Sequence, residues 1–424
     1  MSRTRYLLAP LAAAVLLATA CGNGSGAAPV ATAANVADCD PRGVTITTTF
    51  AQQGKEAAAA AKKALEAEHP GLTVQLNESS GLGYDQLTQQ VVADLAAGKE
   101  TDVVMVGLGQ VRFWVDRYQP QPINTAALKP TYDRRFLKIG EVDGKPYVVP
   151  FQVSAPVLFT NTDLATKAGI TKAPATSSEL LADARKVKQA TGTAPVALPR
   201  DAIADWVVQA YIQSAGATFV NPDGTAGFDT DTGRRALSLY SELGAQQLAA
   251  PISAQDATAQ FAKGDLAYLV TSPAFAASMR TQVGDRFGWT VTDFPIPDGG
   301  HASLPAGGNG WLVLSHDACK AAFANEMISA MLDPTVIAAS LRTFSYIPVD
   351  KQAAAELTAA PEATTQLGYS WTYTGTPTPW GGWHGDATPK VNKILGDMVV
   401  QLTNGQPVDQ VLPTVIRQIN AVVK

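Results

Sequence analysis

The architecture can be read from residues 44–76, VTITTTFAQQGKEAAAAAKKALEAEHPGLTVQL. VTITTTF (44–50) is rich in β-branched side chains, which suit a pleated, extended chain. GKEAAAAAKKALEAE (54–68) is dominated by strong helix formers. His69-Pro70-Gly71 stops that helix, because Pro and Gly cannot continue it. LTVQL (72–76) reads as a second strand, 84–97 as a second helix and DVVMV (102–106) as a third strand. That third strand is almost continuously apolar, as a strand buried on both faces must be. The order β-α-β-α-β predicts a parallel sheet covered by helices.

Outward from this unit the chain changes character. Thr176 as N-cap with Glu179 three residues on predicts a helix over 176–190. Further helices are expected at 201–215, 231–246, 255–263 and 273–283. WTVTDFPIPDG (289–299) turns extended, Gly307-Gly308-Asn309-Gly310 leads into a strand at 311–314, and a helix is expected over 318–332. The tail, 386–424, reads as helical with a Gly-Gln-Pro break at 405–407. Two Pro-bearing extended passages, near 145–156 and 292–303, frame the helical middle. They predict an α/β protein of two lobes with a hinge and a cleft. Residues 41–150 and 300–344 are assigned to the first lobe, and 151–299 and 345–424 to the second. Ligand sites favour such interfaces and the carboxyl ends of parallel strands.

The first residues carry an export label. Arg3 and Arg5 precede an apolar stretch from Tyr6 to Ala18, too short to span a bilayer with flanks. Ala18-Thr19-Ala20-Cys21 resembles a lipobox, with Ala18 where Leu is usual. This predicts a signal peptide over 1–20, diacylglycerol on Cys21, and a Gly/Ser/Ala-rich flexible tether over 21–40. The protein is therefore expected on the outer face of the cell membrane, anchored by lipid. Cys39 and Cys319 remain in an oxidising compartment, as a disulfide or as two thiols. Direct antiparallel pairing of 44–50 with 311–314 would bring them together.

Composition excludes several classes. The 424 residues are 46% hydrophobic and 16% charged, which provides for real cores rather than disorder. A net charge of −5 leaves no basic surplus for phosphates, so nucleic acid is not an expected partner. Three Cys and four scattered His (69, 301, 316, 384) do not make metal-ligand spacings, and no metal or cofactor is expected. No Gly-x-Ser-x-Gly, His-Glu-x-x-His or Walker loop is present. A glycosidase would need two carboxylates across a sugar, and none sits in a recognisable catalytic setting. The expectation is a binding protein, not an enzyme.

An ordered series of segments then carries a resemblance. It comprises LEAEHPGLTVQL (65–76), LAAGKETDVVMV (95–106), DGKPYVVPFQVSAPVLFTNTD (143–163), AGITKAPATSSEL (168–180), FAKGDLAYLVT (261–271), Pro295-Ile296-Pro297, Gly307-Gly308 and Tyr346-Ile347-Pro348. From about residue 44 to 424 the chain resembles the extracellular solute-binding proteins of ABC importers, which take sugars, oligosaccharides and glycerol phosphates. The resemblance implies a monomeric, two-lobed periplasmic-binding-protein-like fold, with ABC permease subunits as partners. FQVSAPVL (151–158) and PWGGWHGDATPKVN (379–392) fit the glycerol-3-phosphate or glycerophosphodiester subgroup. That subgroup places Arg where this chain has Trp383. Arg grips phosphate, whereas an indole suits the C–H face of a sugar ring. The expected ligand is a sugar or sugar-like polyol, with a glycerophosphodiester as the alternative.

Carried over by position, Ser154 and Gly308 would hydrogen-bond ligand, Trp206 would stack from the second lobe, and Tyr346 would stack or donate. Gln52 and Tyr84 join them, and Trp380, Trp383 and His384 are the candidates of the tail loop. Trp380 and Trp383 sit in GTPTPWGGWHG (375–385), where little core is expected for two indoles to fill. Family members often carry a carboxylate just after the third strand; here that position is Gly107. Each candidate has a plainer reading: core for Trp206, a hinge cap for Tyr346, a backbone turn for Gly308, surface for Gln52, Tyr84 and His384.

Overall fold

The computed structural model describes residues 35–79 and 83–423. The expected signal peptide, Cys21 and the expected tether up to residue 34 lie outside the described residues. Strands β1 (Thr45–Phe50), β2 (Thr73–Glu78) and β3 (Val103–Gly107) alternate with helices α1 (Lys55–Glu68) and α2 (Tyr84–Ala96). α3 (Val111–Tyr118) and a small hairpin, β4 (Glu141–Val142) and β5 (Lys145–Pro146), lead to β6 (Val149–Ser154). Then come β7 (Val157–Asn161), α4 (Thr162–Lys167), α5 (Ser177–Thr191), β8 (Val196–Ala197), α6 (Ala204–Ser214), α7 (Asp231–Ala245) and α8 (Ala254–Lys263). β9 (Tyr268–Thr271), α9 (Ala276–Val283), β10 (Trp289–Asp293) and β11 (Gly307–Val313) follow. The chain ends with α10 (Ala318–Met331), α11 (Pro334–Thr343), α12 (Lys351–Ala359), α13 (Gly368–Trp371), α14 (Thr388–Thr403) and α15 (Val408–Val422).

The first sheet has the order β2-β1-β3-β11-β6. β1 runs parallel to β2 and β3, while β11 is antiparallel to β3 and β6. The second sheet has the order β10-β7-β9-β8. The expected direct pairing of 44–50 with 311–314 does not occur, because β3 lies between them. β3 is buried at all five positions, and an apolar strand of that kind gains most from a central place. Cys39 and Cys319 nevertheless form a disulfide across 280 residues, since a turn before β1 packs at the start of α10.

The chain crosses between sheets three times. Ala155-Pro156 joins β6 to β7, and residues 294–306 join β10 to β11. The third crossing follows Trp371, later than residue 344. Ile347 bridges Val153, Asp350 bridges Tyr132, and α12 packs on α11, so 345–371 stay with the first sheet. α14 and α15 then pack on α6 and α7. Among the described residues no helix is long and apolar enough to cross a membrane.

Local signals account for the helix ends. Thr176 Oγ1 accepts from Glu179 N at 3.3 Å, and Glu179 reaches back to Ala175 N at 2.7 Å. α1 is supported by a Lys62–Glu66 pair at 2.6 Å and ends at His69, with Gly71 at φ 103° beyond it.

Candidate functional site

The wall contributed by the first lobe is a lattice of neutral polar groups. Gln152 in β6 and Asn309 in β11 are fully buried within otherwise apolar strands. Asn309 Nδ2 donates to Gln152 Oε1 at 2.7 Å and to the Tyr84 hydroxyl at 2.8 Å. Gln152 Nε2 donates to Ser340 Oγ at 2.5 Å. The Tyr84 and Tyr346 hydroxyls lie 3.2 Å apart. Burial raises both phenols above their ordinary range, so both keep their protons. Gly308 adopts φ 101°, and a Cβ there would lie 2.0 Å from Gln152 O and 3.3 Å from Tyr346. Only glycine fits that position. A Cβ on Gly107 would lie 2.9 Å from the Tyr84 Cβ. Tyr84 therefore packs directly against the Gly107 backbone.

The second lobe presents α6. Its residues ADWVVQAYIQS are almost wholly buried, yet include Asp205 and Gln209, one helical turn apart. Ile203, just before the helix, holds φ 59°, an unusual conformation for a β-branched residue. Strain of this kind persists where surrounding contacts over-determine it. The Trp206 indole donates to Pro305 O at 2.8 Å, tying α6 to the second crossing. Gly307 admits this ring: a Cβ there would lie 2.7 Å from both Trp206 Cζ2 and Ser154 Oγ.

The loop after Pro379 closes the arrangement. Trp380 Nε1 donates to Asp205 Oδ2 at 2.8 Å. Gln209 Nε2 donates to Pro379 O at 3.0 Å, and its oxygen accepts from Gly381 N at 2.9 Å. The Trp206 and Trp380 rings are 5.9 Å apart, tilted by 46°. On its other side Trp380 lies against Gly109 of the first lobe, where a Cβ would approach to 2.6 Å. Gly385 N donates to Asp116 of α3 at 2.7 Å. The loop thus holds both lobes.

Burial raises the Asp205 carboxyl to about 7, the Asp85 carboxylate adds to this, and the Trp380 bond opposes it. Asp85 itself accepts from Gln110 at 2.5 Å. Among the described residues, no Lys or Arg donates a hydrogen bond to Tyr84, Gln152, Ser154, Asp205, Gln209, Asn309 or Tyr346. Two surface hollows lie elsewhere. One of about 420 Å³ is lined by Ser177, Thr232, Arg235 and Asp298, and one of about 490 Å³ by Leu164, Ile252 and Gln260.

Of the sequence candidates, Tyr84, Ser154, Trp206, Gly308, Tyr346 and Trp380 converge here, with Ser154 and Trp206 fully buried. Gln52 is exposed in the turn after β1, beside Gln53, whose backbone oxygen accepts from Gln152 Nε2 at 3.4 Å. Two lie apart. His384 rests on the 221–225 turn, where a Cβ on Gly224 would lie 2.9 Å from its ring. Trp383 is wholly buried in the core of the second lobe, 5.2 Å from Phe219, which stacks on Phe228 at 5.5 Å. The tail loop has apolar side chains to bury because residues 219–228 fold beneath it. Asp205, Gln209, Gln152, Asn309 and Gly109 were not singled out from sequence. Their signal was polar residues inside apolar elements, which is visible only once those elements are known to meet.

Residues 47–336 match the bacterial extracellular solute-binding protein family. The chain belongs to that family. A binding protein of Brucella abortus (strain 2308) is 29% identical over 258 residues, 59% of this chain and 59% of the relative. The match thus spans well under two thirds of the curated relatives' length. A cyclic alpha-maltosyl-1,6-maltose binding protein from Arthrobacter globiformis superimposes with a TM-score of 0.75 at 18% identity, covering 90% of this chain and 99% of that one. UgpB from Mycobacterium tuberculosis, in complex with glycerophosphocholine, gives 0.73 at 18% identity, covering 88% and 98%. These likenesses establish the two-lobe periplasmic-binding-protein fold for this family member.

Proposed function

We propose that this chain is the substrate-binding component of an ABC importer and captures a sugar or sugar-like polyol between its lobes. The carrying observation is the pairing of two indole rings, Trp206 and Trp380, with Asp205, Gln209 and the Tyr84–Tyr346 phenols, without a cation among their bonding partners. Rings suit the C–H faces of a pyranose, and carboxylate and amide oxygens accept its hydroxyls. A phosphodiester would instead meet an acidic group and no guanidinium.

In this reading Tyr84, Ser154, Gly308 and Tyr346 bind from the first lobe, and Trp206 and Trp380 from the second. Ligand bridging both walls shifts the lobes towards closure. A micromolar complex needs about 8 kcal/mol, within reach of several hydrogen bonds and two covered ring faces. The closed monomer, tethered outside the membrane by lipid on Cys21, then delivers its ligand unaltered to the permease subunits. Calorimetry with maltose, glycerol 3-phosphate and glycerophosphocholine tests the reading. Binding of the neutral sugar with a fall in radius of gyration by X-ray scattering supports it. Binding of the phosphate compounds alone establishes the alternative, and release of glucose from maltose defeats both.

A further inference from the structure

Away from the cleft, where α1 packs on α10, three metal-ligating side chains converge. His69 caps the C-terminus of α1, and its Nε2 lies 2.9 and 3.0 Å from the two carboxylate oxygens of Glu326 on α10. Glu68, the last residue of α1, completes the group, with one ligand atom from each residue within 4.8 Å of the others. The His69 ring meets Phe323 edge-on at 5.1 Å, a contact that fixes the imidazole plane without using a nitrogen. The His69 and Glu326 side chains are 17% and 25% exposed, so the cluster is reachable yet partly desolvated. Among the described residues neither Glu68 nor Glu326 forms an ion pair with a Lys or Arg. One carboxylate bonds the imidazole and a second lies within 4.8 Å, beside the negative end of a 14-residue helix.

We propose that Glu68, His69 and Glu326 form a surface site for a divalent transition-metal cation of the Zn²⁺ type. One imidazole nitrogen and two carboxylates, with water as the fourth ligand, make a donor set that suits Zn²⁺. The imidazole disfavours Ca²⁺ and Mg²⁺, which take oxygen ligands. Donors about 2.1 Å from a tetrahedral ion stand roughly 3.4 Å apart, so Nε2 and the Glu326 oxygen, now 2.9 Å apart, need to separate by about 0.5 Å while Glu68 draws in from within 4.8 Å. The ion would take the position now held by the proton between Nε2 and Glu326, leaving the imidazole proton on Nδ1. The ligands come from helices 257 residues apart in sequence, so the ion would pin α1 to α10 and raise the unfolding temperature.

The test is a Zn²⁺ titration of untagged, chelator-treated full-length protein by calorimetry, with Co²⁺ followed by visible absorption. One-to-one binding, a tetrahedral Co²⁺ spectrum and no competition by Ca²⁺ are expected. His69→Ala and Glu326→Gln should each weaken Zn²⁺ about tenfold or more, the second without change in the circular dichroism of the metal-free protein. No saturable heat at millimolar Zn²⁺, or isotherms unchanged in both variants, would overturn the site and leave a plain His–Glu hydrogen bond.

Discussion

The two walls of the cleft are built on opposite principles. The first-lobe wall, Tyr84, Gln152, Asn309 and Tyr346, is uncharged, and its groups are bonded mainly to one another. The second-lobe wall carries one buried carboxylate and two indoles, and its bonds run to a loop that also touches the first lobe. A cross-bonded neutral lattice is rigid, because moving one member strands another buried polar group. A carboxylate whose donors are an indole N–H, nearby backbone N–H groups and the Asn392 amide can exchange the indole for a ligand hydroxyl. In the proposed binding reading, the contrast makes the first wall a template and the second the adjustable, selective side.

The largest expected effect separates support from contact. Trp383→Ala should lower stability to urea by about 4 kcal/mol, the usual cost of emptying a buried indole site. The folded variant should keep its ligand affinity. A large loss of affinity at unchanged stability would return Trp383 to the cleft and erase the contrast between the two tail-loop tryptophans.

Gln152→Ala attacks the template. It leaves Asn309 and Ser340 short of partners inside the sheet, which should cost about 3 kcal/mol in the same unfolding measurement. A cost near zero would show that the lattice is not what stiffens the first wall.

Asp205→Asn sharpens the electrostatic side. Asp205 titrates at about 7 in the folded protein against an ordinary value of 3.8. Between those values the folded form binds more protons than the unfolded form. Stability must therefore fall as pH rises from about 4 to 7, and level off above. Opening of the lobes relieves part of the penalty, so about 2 kcal/mol is expected. The Asn variant should flatten this slope in thermal unfolding from pH 4 to 8, and parallel curves for the two proteins would refute the assignment.

Trp380→Ala is the mildest. It should weaken sugar binding by about tenfold, or about 1.4 kcal/mol, and cost less stability than Trp383→Ala because the ring is only half-buried, although Asp205 loses its indole donor. An unchanged calorimetric isotherm removes this ring from the second wall.

Much of this was legible in the chain itself. The β-branched run at 44–50, the strand read at 72–76, the Ala-rich α1 and its His-Pro-Gly stop announce a β/α lobe through propensity alone. Gly307 and Gly308 stand out because glycine pairs mark close backbone approach, and both do admit a neighbouring ring. The partners of those glycines were not legible. Nothing local in Trp380-Gly381-Gly382-Trp383 distinguishes an indole bonded to Asp205 from one buried on Phe219. The distinction depends on residues 175 and 164 positions away.

Sequence alone determined the order of strands and helices, the two extended passages near 145–156 and 292–303 that carry crossings, and the apolar faces that had to be buried. These follow from local backbone preference and periodicity, which act over a few residues. Tertiary structure decided that β3 separates β1 from β11, that the third crossing falls after Trp371, and that Trp380 bonds Asp205 while Trp383 is buried on Phe219. Those outcomes depend on which surfaces exclude water together, a property of packed elements that no short stretch of chain possesses.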